Sequence, residues 1–187
     1  GEPIVKATIH TPQEYLGAII NYIVQNRLYD EEYVLTHTNA LHLVKEEFGF
    51  EDGLFSGYDA AGHKYDNASW GYQVDPAIKV ARKAKGLDDP DCAFQKLAKH
   101  FSRYTFEEAE RISGIPAAQV KQIADLLVEN RPGTILYALG MTQHTTGVQG
   151  IRCYPIIQLL LGNIGVAGGG VNALRGEPNV QGACDMS

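Results

Sequence analysis

The most informative stretch for the fold is Thr134-Ile-Leu-Tyr-Ala-Leu-Gly-Met-Thr-Gln-His144. The first five residues are apolar and partly β-branched, which predicts a short buried strand. An amphipathic helix is predicted before this strand, over Ala117 to Glu129, and another after the loop, from Gly147 to about Leu161. The order helix, strand, glycine-containing loop, helix is typical of an α/β fold, in which ligands bind at the carboxyl ends of the strands.

The rest of the chain divides into three stretches by pattern. Residues 1–47 carry helical spacing and are expected to form the helical start of the α/β domain. A helix is predicted from Pro12 to about Gln25, with Tyr15, Leu16, Ile19, Ile20 and Ile23 buried, and Asp30 and Thr105 are predicted to cap two further short helices. Residues 48–91 mix glycines with tyrosines and a tryptophan, which predicts an irregular but ordered insertion pinned by its rings. Residues 92–187 are expected to contain helices, the strand and a glycine-rich, cofactor-binding segment of the same domain. The helix after the loop is predicted to be interrupted or kinked at Pro155. Its expected inward residues are Ile151, Ile156, Leu159 and Leu160.

Composition narrows the possible functions. A formal charge of −6 and a pI near 5.5 argue against nucleic acid as a partner, because phosphate binding relies on clustered Lys and Arg. No apolar run reaches membrane-spanning length, so direct membrane insertion is not expected. Cys92, Cys153 and Cys184 are too scattered for a disulfide framework or a cysteine-bound metal, and the last two are interpreted as packed thiols. Because the chain opens at Gly1 rather than at a methionine, we expect it to be a piece of something longer.

Two features carry candidate chemistry. The loop from Gly140 to Thr146 offers amide, imidazole and hydroxyl groups, which suit either a ligand or a plain structural connection. His144 is correspondingly either a hydrogen-bond donor to a cofactor or a histidine satisfied within its loop. Arg175 lies between apolar residues and a glycine, and its guanidinium fork matches carboxylate or phosphate oxygens. An ion pair with Glu177 or Asp185 is the alternative, but the neighbouring wall of glycines and amides favours an anion site.

Several motifs together carry a resemblance to a known family. In the second half they are Leu136-Tyr-Ala-Leu-Gly-Met-Thr-Gln-His144, Gln158-Leu-Leu-Leu-Gly-Asn-Ile-Gly165, Ala167-Gly-Gly-Gly-Val-Asn-Ala-Leu-Arg-Gly176 and Asn179-Val-Gln-Gly182. In the first half they are Tyr29-Asp-Glu-Glu-Tyr33, Thr36-His-Thr-Asn39 and Phe48-Gly-Phe-Glu-Asp-Gly-Leu-Phe-Ser-Gly-Tyr58. Over nearly its whole length, the chain resembles the large subunit of molybdenum- or tungsten-dependent formate dehydrogenases. The first-half motifs are similar to the respiratory and periplasmic members.

The resemblance implies an internal segment of a catalytic subunit that oxidises formate to carbon dioxide. In that family the metal is held by two molybdopterin guanine dinucleotides, and electrons pass to an iron–sulfur cluster elsewhere in the subunit. The implied fold is part of a doubly wound, Rossmann-like molybdopterin-binding domain, rich in helices and with an irregular insertion. The implied partners are formate, the remainder of the catalytic subunit and an iron–sulfur electron-transfer subunit. The implied location is the periplasm, with the cytoplasm as the alternative.

The resemblance also assigns roles to residues. Arg175 matches the active-site arginine beside the formate site. The positions that match the wall lining a pterin dinucleotide are Gly140, Met141, Thr142, Gln143, His144, Gly176, Glu177 and Asn179. No residue of this chain matches the family's metal-ligating selenocysteine or cysteine, its iron–sulfur cysteines, or the lysine between cluster and pterin. The isolated chain is therefore expected to be inactive.

Two other functions remain open at this point. One is a non-catalytic interaction module, in which the aromatic insertion from Phe48 to Tyr72 presents a surface to a partner protein. The other is a related molybdopterin oxidoreductase that acts on a different small anion, such as nitrate. The context Leu174-Arg-Gly176 favours formate.

Overall fold

The computed structural model describes residues 12–51 and 53–176, and the chain falls into two compact units. One, called here the α/β unit, consists in its described part of residues 12–34 and 101–176. The other, called here the hairpin unit, is Leu35–His100. The candidate site residues all belong to the α/β unit or lie outside the described residues. No helix in the described ranges is both long and apolar enough to cross a lipid bilayer.

Helix α1 (Pro12–Gln25) forms the core of the α/β unit. It begins at the predicted proline, and the apolar positions expected to face inward are all buried. These positions are Tyr15, Leu16, Ile19, Ile20 and Ile23. The helix packs against α4 (Phe106–Ser113), α5 (Ala117–Glu129) and α7 (Gly147–Leu160). Burial of one such side chain contributes about 1.5–3 kcal/mol, so this face organises the unit.

Two further helices begin at the residues predicted to cap them. Asp30 Oδ1 accepts a hydrogen bond from Tyr33 N at 2.9 Å at the start of α2 (Glu31–His37). Thr105 Oγ1 accepts from Glu108 N at 3.1 Å at the start of α4. Each side-chain oxygen satisfies an amide that the helix leaves without an internal partner. The predictions for these helix starts are therefore confirmed.

The sheet of the α/β unit pairs β5 (Thr134–Tyr137) with β6 (Gly170–Ala173) in parallel, which fits the predicted α/β class. One face packs on α7, where the rings of Tyr137 and Tyr154 lie 5.6 Å apart. On the other face Leu136 is 59% exposed, and its register partner Asn172 is exposed as well. The prediction of a buried strand is therefore wrong: Thr134 and Leu136 are exposed and Ile135 and Tyr137 only half-buried, because in the described residues α7 covers only one side of the sheet.

Helix α7 differs from its prediction in two respects. It continues through Pro155 without interruption. Its buried face is Cys153, Tyr154, Ile157, Gln158 and Leu160. Of the four residues expected to point inward, only Leu160 is fully buried, and the other three are half-buried. The reason is that α7 contacts both α1 and β6, so that positions on two sides of the helix are covered.

The hairpin unit contains two antiparallel pairs of very short strands and one helix. Strand β1 (Phe50–Glu51) pairs with β2 (Leu54–Phe55), and β3 (Tyr58–Asp59) pairs with β4 (Lys64–Tyr65). Helix α3 (Ala93–Phe101) begins near the end of this unit. The Trp70 ring lies 5.3 Å from that of Phe55 and 5.2 Å from that of Tyr65, measured between centroids. Ring contacts thus hold together strands that are too short to be stable alone.

Candidate functional site

The carboxyl ends of β5 and β6 border a cleft of about 150 Å³. Its lining residues are Tyr137, Ala138, Leu139, Thr142, Ala173, Leu174 and Arg175. The structure therefore brings together two predicted site residues, Thr142 from the loop after β5 and Arg175 from the segment after β6. This is the edge of a parallel sheet at which α/β proteins bind their ligands.

The loop after β5 starts with a single helical turn, α6 (Leu139–Thr142), rather than with irregular backbone. The turn is closed by hydrogen bonds from Met141 N to Ala138 O at 3.1 Å and from Thr142 Oγ1 to Leu139 O at 3.4 Å. The side chains of Thr142, Gln143 and His144 are exposed, whereas Met141 is half-buried. Hydroxyl, amide and imidazole groups of this loop are therefore accessible to a ligand.

His144 is anchored to its own loop. Its Nε2 lies 2.8 Å from Gly140 O, and because a carbonyl oxygen can only accept, Nε2 must carry the proton of this hydrogen bond. In the neutral ring Nδ1 is then an acceptor, and the residue is exposed. His144 is therefore satisfied within its loop through Nε2, and its contact with a cofactor stays a prediction.

Three glycines at the site differ in what surrounds them. A Cβ added to Gly147 would lie 2.5 Å from Thr142 O, so no side chain fits where α7 begins directly against the end of α6. A Cβ added to Gly140 or Gly176 would meet no atom of the described residues within 4 Å, apart from those of its own neighbours in the chain. Gly147 thus fixes the loop on α7, while Gly140 and Gly176 leave their backbone open to an approaching group.

Arg175 is placed by the strand that precedes it. Leu174 N donates to Tyr137 O at 2.7 Å, which holds the chain beyond β6 beside the end of β5. Arg175 then lies at the surface, in the wall of the cleft. Its predicted alternative partners, Glu177 and Asp185, lie outside the described residues, as does the predicted site residue Asn179. The anion-binding role of Arg175 and the roles of Glu177 and Asn179 therefore stay predictions.

A buried amide pair lies at the opposite end of the same two strands. Gln158 of α7 is 0% exposed, and its Nε2 donates to Gly133 O at 2.7 Å and to Gly170 O at 2.6 Å. Asn163 Nδ2 donates to Gln158 Oε1 at 2.6 Å. The sequence interpretation assigned neither residue a contact. The sequence does contain an indication of this pair, because Gln158 and Asn163 stand among apolar residues. If such amides are buried, they require hydrogen-bond partners.

Cys153 is a packed thiol, as predicted. Burial, and to a smaller extent the negative charge of Glu14, raises the pKa of Cys153 to about 11, so that the thiol stays protonated at neutral pH. Cys184 lies outside the described residues. In the ranges 12–51 and 53–176, no three or more His, Cys, Asp or Glu side chains are grouped so that they could hold a metal ion.

Comparisons with known proteins give a consistent set of relatives, although no protein-family model matches the chain. The chain is 47% identical over 176 residues to the major subunit of the nitrate-inducible formate dehydrogenase of Escherichia coli K12. It is 45% identical over 183 residues to the alpha subunit of formate dehydrogenase 2 (cytochrome c-553) of Nitratidesulfovibrio vulgaris Hildenborough. It is 46% identical over 175 residues to the formate dehydrogenase alpha subunit of Megalodesulfovibrio gigas. These matches cover 91–92% of the chain but only 17% of each relative.

Proposed function

Because the chain is homologous to one segment of the large subunits of formate dehydrogenases, we propose that it works as part of such a subunit. In this proposal the whole subunit oxidises formate to carbon dioxide, with release of one proton and two electrons, and the electrons leave through an iron–sulfur subunit. The observation that carries the proposal is the convergence of Thr142 and Arg175 on one cleft at the carboxyl ends of β5 and β6.

The described residues fit one wall of a pterin dinucleotide site. The open backbone at Gly140 and Gly176 and the exposed groups of Thr142 and Gln143 can meet phosphate oxygens and heterocyclic nitrogens. Nδ1 of His144 can accept a hydrogen bond from an N–H group of a heterocycle. Sites for whole ligands of drug size usually enclose about 300–1,000 Å³. Since the cleft has only about 150 Å³, the other walls must come from residues outside the described ranges. The bound molybdenum or tungsten cofactor would supply the redox chemistry.

The role proposed for Arg175 is electrostatic. A guanidinium stays ionised at all physiological pH values and can form two parallel hydrogen bonds to a carboxylate. From the wall of the cleft it would offset the charge of formate and fix the orientation of its C–H bond. No proton transfer is assigned to Arg175, because a guanidinium acts here only as a fixed cation and hydrogen-bond donor.

The fold proposed for the intact subunit follows from the uncovered face of the sheet. Parallel sheets occur almost only with both faces covered, yet Leu136 and Asn172 are exposed here. We therefore propose that the remainder of the large subunit covers this face and extends the sheet into a doubly wound, Rossmann-like domain. The ligand cleft would then lie at the edge of a wider sheet.

Kinetics of arginine variants of the full-length large subunit test the role of Arg175. Arg175→Ala is expected to lower kcat/KM for formate by about 10²–10³, the usual effect of removing one preorganised electrostatic contact. Arg175→Lys should retain part of the activity, since it keeps the charge but loses the fork. Bound metal per subunit should not change in either variant.

The matched control is Arg152→Ala, which removes an exposed arginine from α7. It should leave formate kinetics unchanged. Wild-type kinetics for Arg175→Ala would remove Arg175 from the site. A wild-type subunit that reduces nitrate but does not oxidise formate would instead favour the alternative substrate.

A further inference from the structure

Gln158 joins three elements of the α/β unit at one point. Its Nε2 bridges Gly133 O, just before β5, and Gly170 O, at the start of β6, while its own backbone belongs to α7. Asn163 orients the amide by donating to Oε1, and Asn163 N donates to Gln158 O at 2.8 Å. A fully satisfied buried network of this kind is rigid, because each broken bond would leave a polar group unpaired away from water.

Backbone hydrogen bonds from Gly170 N to Gly133 O at 3.3 Å and from Gly169 N to Val166 O at 3.1 Å also hold the entry of strand β6, but neither reaches a helix. The strand is preceded by Gly168 and Gly169 and begins at Gly170, and both Gly168 (φ 86°) and Gly170 (φ 131°) have positive φ. Glycine-rich strands pair weakly because they lose the most chain entropy and offer no side chains to pack. Thr134 Oγ1 adds one hydrogen bond to Gly168 O at 2.7 Å. Within the described ranges, the hydrogen bond from Gln158 Nε2 to Gly170 O at 2.6 Å joins the start of β6 to helix α7.

The end of β6 leads to Arg175. Four strand residues at about 3.3 Å each separate the two ends, on the order of 13 Å, so Gln158 does not approach the cleft itself. We propose that Gln158 is a positioning residue: by fixing the entry of β6 against β5 and α7, it places Arg175 in the wall of the cleft. The inference rests on the proposed function of Arg175.

A double-mutant cycle in the full-length large subunit tests the inference. Gln158→Leu removes the amide at similar volume, and it is combined with Arg175→Ala. If Gln158 acts through Arg175, Gln158→Leu lowers kcat/KM for formate about tenfold in the wild-type background but less than about twofold beside Arg175→Ala, because coupled residues are non-additive. An exposed glutamine of the same helix provides the control, Gln149→Leu, which should have no effect in either background.

A merely structural role predicts a different result. It predicts equal losses in both backgrounds, since residues this far apart normally contribute additively. Equal losses, or no loss at all, overturn the inference. If Gln158→Leu does not fold, Asn163→Ala replaces it in the cycle, because it leaves Gln158 in place and removes only the bond that orients its amide.

A cross-link separates failure of this inference from failure of the proposed function. Leu136→Cys and Asn172→Cys stand at register partners and are both exposed in the 187-residue chain, so in that chain an added oxidant should join them when β6 is held in place. The yield, mapped by mass spectrometry of unreduced peptides, should fall about fivefold with Gln158→Leu and stay unchanged with Gln149→Leu. If Arg175→Ala leaves formate kinetics unchanged, the proposed function fails. The cross-link then still decides whether Gln158 positions β6, and an undiminished yield overturns that role.

Discussion

At the scale of single residues, the site depends on two glycines with opposite surroundings. Gly147 is required by the chain's own packing, because a Cβ there would lie 2.5 Å from Thr142 O. Gly140 lies in the same loop and has open space where a Cβ would project. Nothing in the described residues requires glycine at position 140. A reason for glycine at this position would be a ligand that lies close to the backbone.

Gly140→Leu is therefore expected to leave the fold intact and to weaken retention of the pterin cofactor. In the full-length subunit, bound molybdenum or tungsten and released guanine nucleotide should fall at least about tenfold, since a side chain would occupy the space of the ligand. The thermal midpoint of the cofactor-free protein should stay within a few degrees. Gly147→Ala serves as the contrast, because it should lower that midpoint. Full cofactor content in Gly140→Leu would remove the loop from the cofactor site.

At the scale of secondary-structure elements, the sequence predicts the features that depend on residues close together in the chain. The apolar spacing of α1 and the caps Asp30 and Thr105 are local signals, and the structure confirms them. Strand β6 escaped prediction, because three glycines precede Val171 and its conformation depends on pairing with β5. The buried bridge formed by Gln158 is likewise non-local, since it joins backbone atoms 25 and 12 residues away.

The same difference between local and non-local features applies to the candidate site. The loop after β5 and Arg175 stand out from glycines and polar groups in short motifs, so the sequence singles them out. Their convergence on one cleft requires the parallel pairing of β5 with β6, which no local pattern shows. The loop expected from Gly140 to Thr146 begins within the helical turn α6, which contacts α7.

The uncovered sheet face gives a prediction for Leu136→Asp. In the isolated chain, where Leu136 is 59% exposed, the change should alter the free energy of unfolding by less than about 0.5 kcal/mol. In the full-length subunit it should destabilise by about 1–3 kcal/mol or more, because a carboxylate would be buried against the covering segment. Urea unfolding of both proteins measures the difference. Equal effects in the two proteins would show that nothing covers this face.

At the scale of the whole molecule, the chain spans 17% of the length of the curated relatives it matches. The cleft has one described wall, and no metal-binding group of side chains occurs in the described ranges. Exposed rings also remain in the hairpin unit, where Phe55 and Trp70 are about 40% exposed. Exposed rings of this kind are typical of a surface that contacts another protein segment.

The 187-residue chain alone is accordingly expected not to oxidise formate. Reduction of an artificial electron acceptor by the purified chain, supplied with molybdate or tungstate and free pterin cofactor, should stay at the background rate. The full-length subunit at the same molar concentration is the positive control. Formate-dependent reduction by the short chain would contradict the proposed division of the site between this segment and the rest of the subunit.

The face that bears Leu136 and Asn172 also sets a rule for building chimeras between relatives. A segment transplanted from one enzyme to another brings its own Leu136 and Asn172 but meets a foreign covering surface. Grafts whose boundaries include both surfaces should yield stable hybrids, whereas grafts that cut between them should accumulate as insoluble protein, even when every residue of the cleft is identical.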